Sequence, residues 1–140
     1  MADLLDGLAR YLHGLGLVVY DELGTGGDVF ADAMPEAPDE AVVLTLYGLG
    51  EPDPLNEDDV SGLQVRARGP AGNAAPSRLR CQAIYSALQG LAGVTLPDGT
   101  LLLLCTAVQT ASSLGVDSNG RYEHVVNFRI HVVNATTNRI

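Results

Sequence analysis

Lysine and tryptophan are absent from this chain of 140 residues, and all eight of its basic residues are arginines. The missing lysine excludes a P-loop, in which a lysine binds the nucleotide phosphates. The net charge of −9 argues against sequence-independent binding of DNA, because such binding requires a basic surface. Long apolar runs are also missing, since Leu101–Cys105 is far shorter than the roughly 18 residues of a membrane span. The composition therefore predicts a globular protein that does not bind a membrane.

Cysteine is scarce, with Cys81 and Cys105 alone and no C-x-x-C pair. The first residues include Asp3 and Asp6, where a secretory signal would have basic residues. We therefore expect synthesis inside a cell, where thiols stay reduced. Two free thiols are the favoured interpretation, and a single disulfide is the alternative.

The charge is divided unevenly along the chain. Residues 1–59 contain fourteen acidic residues and one arginine, a net charge of −13, whereas residues 60–140 contain seven arginines and three acidic residues, a net charge of +4. Two such halves are able to form complementary surfaces on neighbouring subunits. Neutralisation of the two halves within one fold is the alternative, and it stays open for any particular arginine.

Apolar residues at helical spacing predict two helices, one at about Asp3–His13 and one over residues 77–93. Ser77 is the expected N-cap of the second helix. Strands are predicted by alternation of apolar and polar residues or by β-branched content. The predicted strands are residues 17–20, 41–48, 63–69, 101–114 and 120–134.

The last predicted strand has two distinct faces. Tyr122, His124, Val126, Phe128, Ile130 and Val132 form an apolar face, and the residues between them form an ordered, more polar one. The turn "GVDSNG" joins this strand to the preceding one, which predicts a long C-terminal β-hairpin.

Together these elements predict one α+β domain over residues 1–140, with two layers. Two helices cover one face of a mostly antiparallel sheet of four to five strands. Acidic, proline-containing loops are expected at about residues 32–40 and 49–61. The face away from the helices is then left to solvent or to a partner. Its expected members include Gln64, Arg66, Arg68, Glu123, Asn127 and Arg129, depending on register.

One acidic cluster, formed by Glu51, Asp53, Glu57, Asp58 and Asp59, invites a metal interpretation. A Ca²⁺ loop requires oxygen ligands at set spacings and a glycine at its sharp turn. Here two prolines interrupt the pattern and the central glycine and the terminal glutamate are missing, so a solvated loop is favoured. We expect neither a metal nor a cofactor.

Catalytic patterns are also missing from the sequence. His124 and His131 are seven residues apart, so on a strand they point to opposite faces and do not form a simple ligand pair. The serines lie in loops, at a helix cap or at strand ends, and none lies in a nucleophile elbow. We therefore expect a protein that is not an enzyme.

Five stretches occur in one order along nearly the whole chain: "LLDGLARYL", "MPEAPDEAVVLTLYGLGEPD", "LQVRARG", "AIYSALQGLAGVTLPDGT" and "SLGVDSNGRYEHVVNFRIHVVN". In these stretches the chain resembles the minor capsid and tail-terminator (tail completion) proteins of tailed bacteriophages. None of the stretches is a catalytic signature. The resemblance rests on the arrangement of elements and turns.

The resemblance implies a homo-oligomeric ring, typically a hexamer, at the tail–head junction of a virion assembled in the host cytoplasm. Such a ring stops polymerisation of the tail tube and binds the head connector, while double-stranded DNA passes through without specific binding. A head-completion or stopper subunit is the nearest alternative. A small ligand-binding module without enzymatic activity is the alternative from a different class.

Two surfaces follow as hypotheses. Arg66, Arg68, Glu123, Asn127 and Arg129 are expected at or near the contact between subunits, because ring closure joins two different surfaces of each subunit. The acidic cluster at residues 51–59 is expected to face the lumen, a ring mouth or a partner.

Overall fold

Two helices and seven strands form the part of the chain that the structure, a computed structural model, describes, namely residues 3–23 and 25–139. The elements are α1 (Leu4–Gly14), β1 (Val29–Ala31), β2 (Ala41–Gly48), β3 (Asp58–Ala71), α2 (Ala75–Leu88), β4 (Ala92–Thr95), β5 (Leu101–Ala107), β6 (Ser112–Val116) and β7 (Arg121–Val133). All strands belong to one sheet, in which β1 and β2 are parallel and the remaining pairs are antiparallel. The α+β prediction and the long C-terminal hairpin of β6 and β7 are confirmed.

The strand order is β1-β2-β3-β7-β5-β4, with β6 beside the first half of β7. The sheet has more strands than the four to five predicted. One reason is that the predicted strand 101–114 leaves the ladder after Ala107 and returns at Ser112, so that β5 and β6 pair with different parts of β7. The other is that β1 and β4 have three and four residues, too few for an alternating pattern to reveal.

Both helices pack on the same face of the sheet. Facing residues on the two central strands, such as Leu63 and Phe128 or Val65 and Val126, meet Leu8 of α1 and Ile84 of α2 in a single core. Each large apolar side chain buried there contributes about 1.5–3 kcal/mol relative to exposure. The fully buried large residues include Leu8, Leu12, Leu44, Leu63, Ile84, Leu88, Phe128 and Ile130.

The helix ends show where local signals decide and where they do not. Asp3 caps α1 as its sequence suggests, since its carboxylate accepts the Asp6 N–H at 2.8 Å. The second helix begins at Ala75, two residues before Ser77, so the predicted N-cap role of Ser77 is wrong. Ser77 lies inside the first turn, and its hydroxyl is 2.8 Å from Nδ1 of His124. The helix ends at Leu88, earlier than the predicted residue 93. Gly90 and Leu91 instead form backbone hydrogen bonds with Cys105 of β5, and β4 begins at Ala92.

Two predicted boundaries need correction, and a third is confirmed. Residues 17–20 are irregular, and Val19 hydrogen-bonds to the backbone and carboxylate of Asp28 without entering the sheet. The acidic loop spans residues 49–57, because residues 58–61 already pair with β7 as the start of β3. The loop at residues 32–40 lies outside any helix or strand, as predicted.

Candidate functional site

The face of the sheet away from the helices, here called the second face, is arranged in rows by the strand register. Residues opposite each other on β2, β3 and β7 share a row, and β5 or β6 extends it. Two rows lie toward the end of β3 and three toward its start. Toward the end of β3, the first row is Ala41, Arg68, Glu123 and Gly115, and the second row is Val43, Arg66, Val125 and Ser112. Toward the start of β3, the third row is Thr45, Gln64 and Asn127, the fourth is Tyr47, Gly62, Arg129 and Thr106, and the fifth is Val60, His131 and Leu104.

The first two rows form a covered half. Val43 and Val125 belong to this face, yet they are only 2% and 6% exposed. Arg68, in the same half, donates to the backbone carbonyls of Asp39 at 2.9 Å and Pro38 at 2.7 Å. The acidic loop at residues 32–40 therefore folds back over the second face of its own subunit.

Arg121 is the second arginine that holds this loop. It lies at the start of β7 and donates to the carbonyl of Glu36 at 2.6 Å and to the carboxylate of Asp39 at 3.1 Å. Asp117 positions Arg121 by accepting its Nε–H at 2.8 Å. Burial and the nearby charge of Arg121 lower the pKa of Arg68 below its ordinary value, but a guanidinium stays charged at neutral pH. The two arginines therefore supply donors to the backbone carbonyls of this loop.

Arg66 and Glu123 lie at the border of the covered half. Nε of Arg66 is 3.0 Å from Oε1 of Glu123, although the angle does not meet hydrogen-bond criteria. We regard the contact as an ion pair, since opposite charges at this separation attract without a linear hydrogen bond. Both side chains are partly buried, so this pair is made within one subunit.

The remaining three rows form an uncovered half, which contains Asn127 and Arg129. Arg129 is exposed and forms no ion pair with any carboxylate in the described residues. Around it Tyr47 and Leu104 are 40% and 42% exposed, and Val60 is similar. This half therefore combines exposed apolar and polar side chains with an arginine that has no ion-pair partner among the described residues.

Tyr47 lies flat on the sheet because its neighbour across β2 and β3 is Gly62. A Cβ atom at Gly62 would lie 2.1 Å from the Tyr47 ring. Glycine in a strand interior often marks such a close approach. The glycine therefore provides the space that lets the aromatic ring spread over the uncovered half.

The acidic cluster divides between the loop and the start of β3. Glu51, Asp53 and Glu57 are exposed loop residues. Asp58 lies 3.3 Å from Nε2 of His131. Asp59 accepts from Nη2 of Arg139 at 2.5 Å and from Asn134 at 2.8 Å.

The hydrogen bond from Arg139, supported by the one from Asn134, lowers the pKa of Asp59. A groove of about 390 Å³ runs between this loop and the last row of the second face, where Val60 and His131 lie. Within residues 3–23 and 25–139, no group of three His, Cys, Asp or Glu side chains is placed to hold a metal ion. The groove is therefore bordered by exposed carboxylates, by Asp58 beside His131 and by Asp59 paired with Arg139.

Ser77 and His124 form the one serine–histidine contact of the described residues, on the helix side of β7. Both side chains are buried, at 1% and 5% exposure, and burial lowers the pKa of His124. A hydroxyl closed off from solvent has no access to a substrate. The contact joins α2 to the sheet.

Several residues of the second face are missing from the sequence-based set. Tyr47 and Leu104 belong to the uncovered half, and Arg121 holds the loop of the covered half. Tyr47 was within reach of sequence reasoning, because it ends an alternating strand on the side that Val43 and Thr45 share. Arg121 was not, because its partners are more than 80 residues away in the chain.

The fold is that of a small α+β domain with part of one sheet face left open, and comparison with known families gives its class. Residues 11–134 match the family model described as bacteriophage tail terminator protein. The class is therefore that of structural phage proteins that act in tail completion. The chain belongs to the bacteriophage tail terminator family.

A comparison with curated proteins finds no match. Neither helix of the described residues is both long and apolar enough to span a bilayer.

Proposed function

We propose that this protein closes into a ring at the tail–head junction, where it ends polymerisation of the tail tube and presents the surface that joins the head. The observation that carries the proposal is the uncovered half of the second face, in a chain of the tail terminator family. The ring contains six subunits, assembles in the host cytoplasm and becomes part of the virion. Its partners are the tail tube protein and the head connector or stopper protein.

The composition of the uncovered half fits a contact between proteins. Exposed Tyr47, Val60 and Leu104 lie around Arg129 in adjacent rows. Aromatic residues and arginine are enriched in interfaces and in their energetic centres. Apolar side chains grouped in this way on one side of a sheet favour burial against a partner.

The five residues predicted at the contact have different positions. Asn127 and Arg129 lie in the uncovered half, and we assign them to the subunit contact. Arg66 lies in the row next to the uncovered half, at the edge of the contact, and Glu123 lies one row farther away and pairs with it. Arg68 lies beneath the loop of its own subunit, at 3% exposure, and supports the contact through the loop that it holds.

The acidic cluster is assigned to the lumen or to a ring mouth. Glu51, Asp53 and Glu57 project from the end of the sheet without ion-pair partners in the described residues. Asp58 stands beside His131, and Asp59 is paired with Arg139, which partly offsets its charge. An acidic wall repels the phosphates of a duplex, so DNA passes through without being held.

Charge reversal at Arg129 tests the contact. Arg129→Glu places a carboxylate in the uncovered half without touching the core, and we expect loss of the ring by light scattering while the circular dichroism spectrum still shows a folded protein. The matched control is Gln82→Glu on the exposed side of α2, which should assemble normally. A ring that persists in Arg129→Glu contradicts this assignment.

Electron microscopy of particles that lack the protein tests the role at the junction. Overlong tails of variable length are the expected result, because growth of the tube is then not stopped. Tails of normal length without heads would instead indicate a stopper or head-completion subunit. Purified protein that stays monomeric at high concentration and is stabilised by a metabolite would indicate the ligand-binding alternative.

A further inference from the structure

The two lateral edges of the sheet are stepped. Toward the end of β3 the strands run β1-β2-β3-β7-β6, and toward its start they run β2-β3-β7-β5-β4. Both ends are five strands wide, but one is displaced sideways by one strand. On one edge β1 therefore projects beyond β2, and on the other β4 projects beyond β6.

The recess at β6 is a strand edge without charge or proline, although the register of β6 shifts between Ser113 and Gly115. All five residues of Ser112–Val116 are exposed, and none is charged or a proline. Leu114 and Val116 are 54% and 55% exposed. Proteins normally protect such an edge with charge, proline or a covering segment. An uncharged, uncovered edge of this kind favours the addition of another strand.

The backbone of β6 offers hydrogen-bonding groups in that direction. The N–H of Asp117 donates to the carbonyl of Arg121 at 2.9 Å, so residue 117 directs its backbone toward β7. Because alternate residues of an antiparallel ladder point to opposite sides, Val116 directs its N–H and carbonyl away from β7. These groups lie on the open side of the recess.

The projecting strand β1 offers matching groups on the opposite edge. The N–H of Val42 donates to the carbonyl of Asp28 at 2.8 Å, and the N–H of Asp32 donates to the carbonyl of Leu44 at 3.0 Å. Even-numbered residues of this segment thus point toward β2. By the same alternation, Val29 and Ala31 direct their N–H groups away from β2. Residues Val29–Ala31 are uncharged, so they would not repel β6.

We propose that β6 of one subunit pairs with β1 of a second copy of this chain at the end of the sheet opposite the uncovered half, so that the sheet continues there from subunit to subunit. The inference rests on the proposed ring, which places a neighbour of the same orientation on each side. Within one subunit β1 and β2 run in the same direction, and three successive antiparallel pairs lead from β2 through β3 and β7 to β6. The strands β1 and β6 therefore run in opposite directions. The new pair, formed with a neighbour of the same orientation, is antiparallel. Two different edges meet, as a head-to-tail contact requires.

Charges beside the two edges are complementary and favour a second copy as the occupant. Arg78 is exposed and has no carboxylate partner in the described residues. It follows Ser77, which contacts His124, the residue opposite Ser113 of β6. Asp32 is exposed and directly follows β1. An antiparallel pair brings the end of β1 toward the start of β6, and therefore Asp32 toward Arg78 of the neighbour.

Disulfide trapping tests the pairing. Ala31→Cys and Ser113→Cys place thiols on the helix side of the two edges, which are too far apart to join within one subunit. Oxidation of the double variant should give a ladder of covalent oligomers on a gel without reductant, whereas each single variant should stay monomeric on the gel. The natural thiols will not interfere, because they are buried and burial raises the pKa of Cys81 to about 11 and of Cys105 to about 12.

The other outcomes separate this inference from the ring itself. A ring seen by light scattering without a ladder overturns the β6–β1 contact and leaves the ring in place. Covalent products that stop at dimers overturn it in favour of an isologous contact. A protein that is monomeric by both methods overturns the ring as well. Leu114→Lys provides a second readout, since a lysine on the free edge should reduce assembly severalfold while the circular dichroism spectrum stays that of the folded protein.

Discussion

The covered and uncovered halves of the second face use the same residue type in opposite ways. In the covered half, Arg68 and Arg121 are buried and donate to backbone carbonyls of the loop at residues 36–39. In the uncovered half, Arg129 is exposed among apolar side chains without an ion-pair partner in the described residues. The difference shows that position under a loop decides whether an arginine stabilises the fold or stays exposed on the surface.

The largest effect on stability is expected from the covered half. Arg68→Met keeps an apolar stem but leaves the carbonyls of Pro38 and Asp39 without their donor, which should lower the free energy of unfolding by about 3 kcal/mol. Arg129→Met is the matched control, and its effect should stay within about 0.5 kcal/mol, as for other exposed positions. Urea unfolding measures both. Equal losses from the two variants would refute the contrast.

A smaller effect is expected at the glycine beneath Tyr47. Gly62→Ala forces the ring off the sheet, since the new Cβ would lie 2.1 Å from it. The ring is at the end of a side chain that is free to rotate, so we expect a loss of about 1 kcal/mol or less in unfolding free energy. Assembly measured by light scattering should fall more clearly, because the aromatic surface is displaced. Normal assembly of Gly62→Ala would show that the aromatic side chain of Tyr47 does not contribute to the contact between subunits.

The smallest effect concerns pH and the covered half. Hydrogen bonds from the backbone of Arg121, aided by that of Asn119 and the Arg121 side chain, lower the pKa of Asp117. A carboxylate with a depressed pKa in the folded state adds stability that is present above its unfolded pKa and lost as pH falls through the folded value. The loop at residues 36–39 should therefore loosen below about pH 4, as seen by limited proteolysis.

Asp117→Asn should show the same loosening at neutral pH, because it removes the charge that positions Arg121. The matched control is Asp98→Asn, in a turn away from this loop. A loop that is equally resistant to protease in wild-type protein and in Asp117→Asn contradicts the role of Asp117.

The sequence was sufficient where structure follows from short-range periodicity. The alternation from Tyr122 to Val132 predicts a strand with one buried face, and Val126, Phe128 and Ile130 do lie in the core. The helical spacing of Leu8 and Leu12 likewise places α1 on the sheet. In these elements burial alternates along the strand or recurs every three to four residues along the helix, so a short stretch of sequence is enough to predict which side chains are buried.

The rest depends on contacts between distant segments. Nothing near Arg68 indicates that residues 36–39 will fold over it, because the two segments are about 30 residues apart. Ser77 has the chemistry of a helix cap, but tertiary contact with His124 places it inside the helix. The same holds for the candidate contact. Periodicity identifies the residues of the second face, but the loop at residues 32–40 determines which half of that face stays open.

Hydroxyl-radical footprinting of free and assembled protein tests the central claim most directly, because it measures the exposure of individual side chains. Tyr47 and Leu104 should be labelled in the free subunit and protected in the assembled ring. Leu79, which is exposed on α2, should be labelled equally in both. Unchanged labelling of Tyr47 and Leu104 on assembly would contradict the assignment of the uncovered half to the subunit contact.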